Sequence, residues 1–213
     1  MTDTMRKVLI YLTAAMMSFA LSGCGAVKVA DKYEDSLTKA YIEKLDGEKL
    51  TVNLTVTIDY DKEKIGDDSY SQLLEVNGEN RHLFASLESG DIEFYQTDGK
   101  TWRVDAKKKE IHPLDGNGYF GADNADTVLK EAPESDDFVS AKKDTDGNIR
   151  ETFDIDGTVK VFTYDGKTGE LIDMEYKTDS IPGDNSAVIK LTVNSFKEDC
   201  GEIKLPEGYT MID

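Results

Sequence analysis

Apolar residues recur along this chain with two periods, and the period changes once. Val29, Tyr33, Leu37, Tyr41 and Leu45 stand four apart, with Ala40 and Ile42 beside them. That stripe predicts an amphipathic helix from Ala30 to Leu45. After Asp46-Gly47 the period drops to two: Val52, Leu54, Val56, Ile58 and Tyr60 alternate with Thr51, Asn53, Thr55, Thr57 and Asp59. This is the pattern of a half-buried strand. Further strands are predicted at Tyr70–Asn77, His82–Leu87, Asp91–Thr97, Thr101–Ala106 and Lys109–Pro113. A second group covers Phe138–Lys143, Ile149–Ile155, Thr158–Tyr164, Glu170–Lys177, Ala187–Phe196 and Gly201–Leu205. Between the groups, Asp123–Ala132 reads as a short helix.

The turns fit this reading. Asp-Gly occurs six times, beginning at Asp46, Asp98, Asp115, Asp146, Asp156 and Asp165, and Asn77-Gly78 and Asn117-Gly118 add Asn-Gly pairs. These dipeptides supply the positive φ of tight hairpins. Strands joined by tight turns are antiparallel. A mainly β, meandering antiparallel sheet with few helices is therefore expected, not a βαβ sheet.

Some later strands are apolar on both faces. Val159, Val161, Phe162 and Tyr164 break the alternation, and Leu171, Ile172, Met174 and Tyr176 do so less completely. Two readings fit: two-sided burial in a sandwich, or one curved sheet whose helix-covered side keeps an apolar cavity.

The N-terminus carries a different signal. Arg6-Lys7 precede an apolar or small run from Val8 to Leu21, interrupted only by Tyr11, Thr13 and Ser18. Its fourteen residues fall short of the about 20 needed to span a bilayer. A basic start, a short apolar stretch and small residues near a cut site describe a secretory signal. Met5 opens a cleaner signal than Met1, so Met1–Thr4 is expected to precede the true start. The run ends in Leu21-Ser22-Gly23-Cys24, which resembles a bacterial lipobox. That resemblance implies cleavage before Cys24 and lipid on its thiol. Residues 1–23 are then a signal peptide, 24–29 a tether and 30–213 a single domain. Two acyl chains on one cysteine anchor stably where one does not.

Charge narrows the partners. The formal net charge is -18, and losing Asp3, Arg6 and Lys7 (net +1) makes the mature chain -19. Such a surface repels nucleic acid and anionic lipid headgroups. With Cys24 lipidated, Cys200 is the one free thiol. Buried packing is its favoured reading, and an intermolecular disulfide is the other. Acidic neighbours Glu198, Asp199 and Glu202 are expected to raise its pKa.

Candidate chemistry is sparse. His82 and His112 stand apart, with no cysteine beside either, so a zinc set is not expected. There is no Gly-x-Ser-x-Gly, no Walker loop and no dinucleotide fingerprint. Asp144-Thr145-Asp146-Gly147-Asn148 begins like a calcium loop, but its glycine comes too early and the closing Glu is missing. Asp154-Ile155-Asp156-Gly157 fails likewise, and both read as hairpin turns. Trp102 and the tyrosines read as strand-face packing rather than a sugar platform. No enzyme activity, cofactor or metal is expected.

The order of elements adds a second resemblance. A lipobox, one helix and a long meander are followed by Phe162-Thr163-Tyr164-Asp165-Gly166-Lys167-Thr168-Gly169-Glu170-Leu171-Ile172, then Val188–Phe196, then Ile203-Lys204-Leu205-Pro206-Glu207-Gly208-Tyr209. This resembles the LolA-like lipoprotein superfamily of outer-membrane lipoprotein carriers, LppX- and LprG-type lipoproteins and RseB-like regulators. It implies a single large curved antiparallel sheet forming an unclosed half-barrel, with the N-terminal helix and short helices on the concave side. It also implies an apolar cavity lined by generic aliphatics, so no individual ligand residue is assigned. Soluble carriers lack a lipobox, which argues against a free shuttle.

The expected function is that of a lipoprotein anchored through Cys24 to the outer face of the cell membrane. It would bind a lipid or other hydrophobic molecule in the half-barrel. The alternative is a protein-interaction module that recruits or regulates a cell-envelope protein without a ligand.

Overall fold

The computed structural model describes residues 27–45, 48–61, 68–114, 133–181 and 185–212. The predicted signal peptide, Cys24, the helix at Asp123–Ala132 and the turns at Asp46, Asp115 and Asn117 lie outside them.

Twelve strands among these residues form one sheet. They are β1 (Lys49–Tyr60), β2 (Asp68–Asn77), β3 (Asn80–Leu87), β4 (Gly90–Thr97), β5 (Lys100–Asp105), β6 (Glu110–Leu114), β7 (Phe138–Lys143), β8 (Ile149–Ile155), β9 (Thr158–Tyr164), β10 (Leu171–Ile181), β11 (Asn185–Lys197) and β12 (Thr210–Met211). Their order is β12-β6-β5-β4-β3-β2-β1-β11-β10-β9-β8-β7. Two meanders thus meet where β1 pairs β11. All neighbours are antiparallel except the two-residue pairing of β12 with β6. Among the described residues β7 and β12 are edges and do not pair, so the sheet is not closed into a barrel.

Turn chemistry sets the registers. Asp98-Gly99 has φ of 53° and 71°, and Asp156-Gly157 has 51° and 85°. Each forms the two-residue loop of a hairpin, with Thr97 opposite Lys100 and Ile155 opposite Thr158. Two successive left-handed residues match the strand twist. A pairing shifted by one residue would turn every core side chain to solvent.

The sheet has two unequal faces. The inner one bears helix α1 (Leu37–Leu45) and the larger core, including Leu50, Val52, Leu54, Leu74, Leu83, Phe94, Phe153, Phe162, Met174 and Leu191. On the outer face a smaller cluster joins Tyr95, Val104 and Ile111 to Cys200 and Ile203.

Two expectations need correction. The helix predicted from Ala30 is interrupted. Tyr33–Asp35 is a 3-10 turn, Ser36 is extended at φ -73° and ψ 149°, and only then does α1 begin. The reason is a cap: Ser36 Oγ accepts the Lys39 N–H at 3.1 Å, which fixes the N-terminus there. Val29, Tyr33 and Leu37 still pack on the core, so the four-residue stripe reports burial but not a continuous helix. Second, Gly201–Leu205 is not a strand; it lies across the outer face with Cys200 and Ile203 turned inward. Of the two readings left open for the strands with two apolar faces, the single sheet holds and the sandwich does not. Phe162 and Tyr164 are fully buried on the inner face, while Val159 is 50% exposed on the other.

Candidate functional site

The inner face is the candidate site. In β1, alternation sends Leu50, Val52, Leu54 and Val56 inward, all buried. The registers carry this apolar surface to Leu74, Leu83 and Phe94 on one side and to Leu191, Met174 and Phe162 on the other. Aromatic edges close the far end, with Phe153 and Phe162 at 5.5 Å and Tyr33 against Phe153 at 6.3 Å.

Few polar groups enter it, and Glu151 is the most informative. Its place in β8, between Ile149 and Phe153, puts a carboxylate on the buried face, where it is 0% exposed. There it meets the start of α1. Oε1 accepts the Leu37 N–H at 2.9 Å; Oε2 accepts the Thr38 N–H at 2.9 Å and the Thr38 hydroxyl at 2.7 Å. The first amides of a helix have no intrahelical acceptor, and the positive end of the helix dipole favours an anion there. Tyr164 completes the chain by donating to Thr38 Oγ1 at 2.8 Å. Burial, then the nearby Glu151 charge, pushes the Tyr164 phenol well up, although the bond to Thr38 opposes them.

Glu151 therefore fastens the helix to the sheet, and its oxygens are taken by α1. The Tyr41 hydroxyl, on the same helix, is buried without a hydrogen-bond partner, and burial raises its pKa strongly. Lys160 is also buried inward, with Nζ 5.8 Å from the centre of the Tyr176 ring.

The residues noted in the sequence are dispersed. His82 lies on the outer face between two glutamates, while His112 lies beside Glu110 at 3.2 Å. Asp144 Oδ1 accepts the N–H groups of Asp146 and Asn148, each at 2.9 Å, and Asp154 Oδ1 accepts that of Gly157 at 3.0 Å. Both carboxylates serve their own turns. Trp102 packs against the outer cluster. Cys200 is 6% exposed. Burial raises its pKa first, with Glu75 and Asp199 adding to the shift. Among the described residues no group of three or more His, Cys, Asp or Glu is arranged to hold a metal ion. No helix among them is long and apolar enough to cross a membrane.

No protein-family model and no curated protein matches the chain. Solved structures do. It is similar to an uncharacterized conserved protein from Thermus thermophilus, at 10% identity and a TM-score of 0.41, covering 82% of this chain and 96% of that one. A LolA superfamily protein from Nitrosomonas europaea matches at 11% identity and a TM-score of 0.37, over 80% and 95% of the two chains. A DUF1329 family protein from Desulfovibrio piger matches at 10% and 0.33, over 78% and 92%. The unclosed antiparallel sheet with a helix on one face, as the LolA-like resemblance implies, is present in this chain's own strand order.

Sequence reasoning passed over Glu151, Thr38 and Tyr164. A signal was available. The alternation that buries Ile149 and Phe153 also buries the residue between them on that face, and an acidic side chain there requires donors.

Proposed function

We propose that the chain is a lipoprotein anchored through Cys24 on the extracytoplasmic side of a membrane, and that it binds a lipid or other hydrophobic molecule against the inner face of its sheet. The continuous apolar inner face of an unclosed sheet carries the reading. Specific ligand sites are mainly apolar with a few placed polar groups, and the unpartnered Tyr41 hydroxyl suits the second part.

The anchor and the sheet lie close in the chain. The Val27 N–H donates to the Gly166 carbonyl at 3.0 Å, which ties the chain to the β9–β10 turn. Val27 lies three residue steps after Cys24, a reach of at most about 11 Å. A lipid on Cys24 would therefore hold that turn next to the headgroups and favour transfer at the bilayer over free diffusion.

Two measurements test the reading. Labelled palmitate should enter the wild-type chain and not Cys24→Ala. A fluorescent acyl probe should bind saturably, near one per chain, and binding should weaken when Met174→Arg places a charge on the inner face. Label in Cys24→Ala would sink the anchor. Equal probe binding by a folded Met174→Arg would sink the ligand site.

A protein-interaction role is the second reading. It is favoured by the edge strand β7, where Val139 is 59% exposed, and by exposed Val159 two strands away. One stoichiometric partner lost on Val139→Lys would support it over the ligand.

A further inference from the structure

The outer face holds a cluster of ionisable groups that ligand binding does not use. His82 in β3 lies between two strands that each offer a carboxylate. Its Nδ1 is 2.8 Å from Glu75 Oε2 in β2, and its Nε2 is 3.2 Å from Glu93 Oε1 in β4. A neutral imidazole has one N–H and one lone pair, so it donates to only one of them. Its other nitrogen would then turn a lone pair toward a carboxylate oxygen. The imidazolium alone donates to both. Tyr95 reinforces the arrangement. Its ring stacks on His82 at 4.3 Å and 19°, and its hydroxyl donates to Glu93 Oε1 at 2.8 Å. The His82 and Glu93 side chains are only 13% and 20% exposed, so salt screens them less than a surface pair.

This cluster is part of the floor on which the C-terminal segment rests. Tyr95 packs with Cys200 and Ile203. Thr51 Oγ1 donates to the Asp199 carbonyl at 2.9 Å, and Asn77 Nδ2 to the Gly201 carbonyl at 2.8 Å. At the far end Thr210 N–H donates to Lys109 and Ile212 N–H to Ile111. Residues 199–212 are therefore a strap across the outer face, held by scattered bonds. Segments with few backbone hydrogen bonds open at lower free energy than the core. The titratable groups facing the cluster are Glu75 from β2, Glu93 and Tyr95 from β4, and Cys200, Asp199 and Tyr209 from the strap, with Lys49 at the start of β1 beside Cys200.

We propose that a proton on His82 fastens the strap: the imidazolium ties Glu75 and Glu93 across three strands, and its loss loosens residues 199–212 from the outer face. Burial opposes the charged ring, but hydrogen bonds to Glu93 and Glu75, and their charges, outweigh it and raise His82 above 6.5. The bond to His82 likewise lowers Glu93, against its own burial. A raised pKa in the folded state contributes stability that is fully present below the unfolded value. That contribution is lost as pH rises through the folded midpoint. The strap is thus tightest below the His82 midpoint and slackens as pH rises through it.

The test is an NMR titration of the His82 ring in the full chain, held in detergent micelles, from about pH 5 to about pH 9. It is paired with amide exchange at Cys200, Gly201 and Ile203, corrected for intrinsic pH dependence. The expected midpoint lies above 6.5, and strap protection should fall by roughly tenfold for each unit of that elevation. Glu93→Gln keeps the histidine, lowers its midpoint and should carry the strap transition down with it. His82→Gln should remove the transition. A His82 midpoint at or below 6.5, or strap protection that does not follow the ring in both wild type and Glu93→Gln, overturns the proposal.

Discussion

Replacing Glu151 with Gln is expected to unfasten helix α1 while leaving the shape of the core almost unchanged. The wild-type carboxylate accepts three hydrogen bonds, from Leu37 N–H, Thr38 N–H and Thr38 Oγ1–H. Glutamine offers one carbonyl oxygen and an NH2 group. If the oxygen keeps the two bonds to Thr38, the NH2 faces the Leu37 N–H, donor against donor. One buried donor left unpaired costs about 1–3 kcal/mol, and the surviving bonds lose their charge assistance. Relief from desolvating a carboxylate offsets part of this. A net loss of about 2 kcal/mol follows, which lowers Tm by about 4–8 °C in a chain of this size. Urea unfolding followed by circular dichroism reads the total. Amide exchange at residues 37–41 reads its location and should quicken there before the β-sheet amides change. A Glu151→Gln protein within about 0.5 kcal/mol of wild type, with helix protection intact, would refute the claim that this carboxylate fastens the helix.

Three further outcomes follow from the turns and the thiol. A Cβ at Gly166 would fall 1.9 Å from the Gly147 carbonyl oxygen, so Gly166→Ala should destabilise by about 1–3 kcal/mol in the same urea assay; a neutral effect would contradict this close approach. Gly157→Ala should cost about 1–2 kcal/mol, because φ there is +85° with open space around it, whereas Gly201→Ala, equally open and without a positive φ, should be nearly silent. If the two behave alike, the left-handed turn is not the cause. Cys200, buried and with its thiol pKa raised by that burial, should react with a thiol reagent at least about tenfold more slowly than an unfolded control. Equal rates would place it on the surface.

The strands were legible because burial on one face repeats every two residues and the hairpins announce themselves as Asp-Gly or Asn-Gly. β7, β8 and β9 begin and end where alternation predicts. The four-residue stripe overextends the helix because it records contact with the core, and Val29 and Tyr33 make that contact outside the α-helix. Only Ser36 and a carboxylate more than a hundred residues away decide where the helix starts, and no local pattern encodes the second. Cys200, Ile203 and Leu205 resemble a strand because they meet the outer cluster through successive apolar contacts. Among the described residues they have no ladder partner of the kind a strand requires. The His82 cluster was hidden for a related reason. Glu75, His82 and Glu93 become neighbours only through the registers of β2, β3 and β4.

Native mass spectrometry reads the proposed ligand without a chosen probe. The full chain would be purified in mild detergent and released in the gas phase before and after organic extraction. A bound apolar adduct is expected, near one per chain, that extraction removes and that recurs in the lipid fraction. A spectrum of protein mass alone, beyond any lipid covalently held at Cys24, would contradict it.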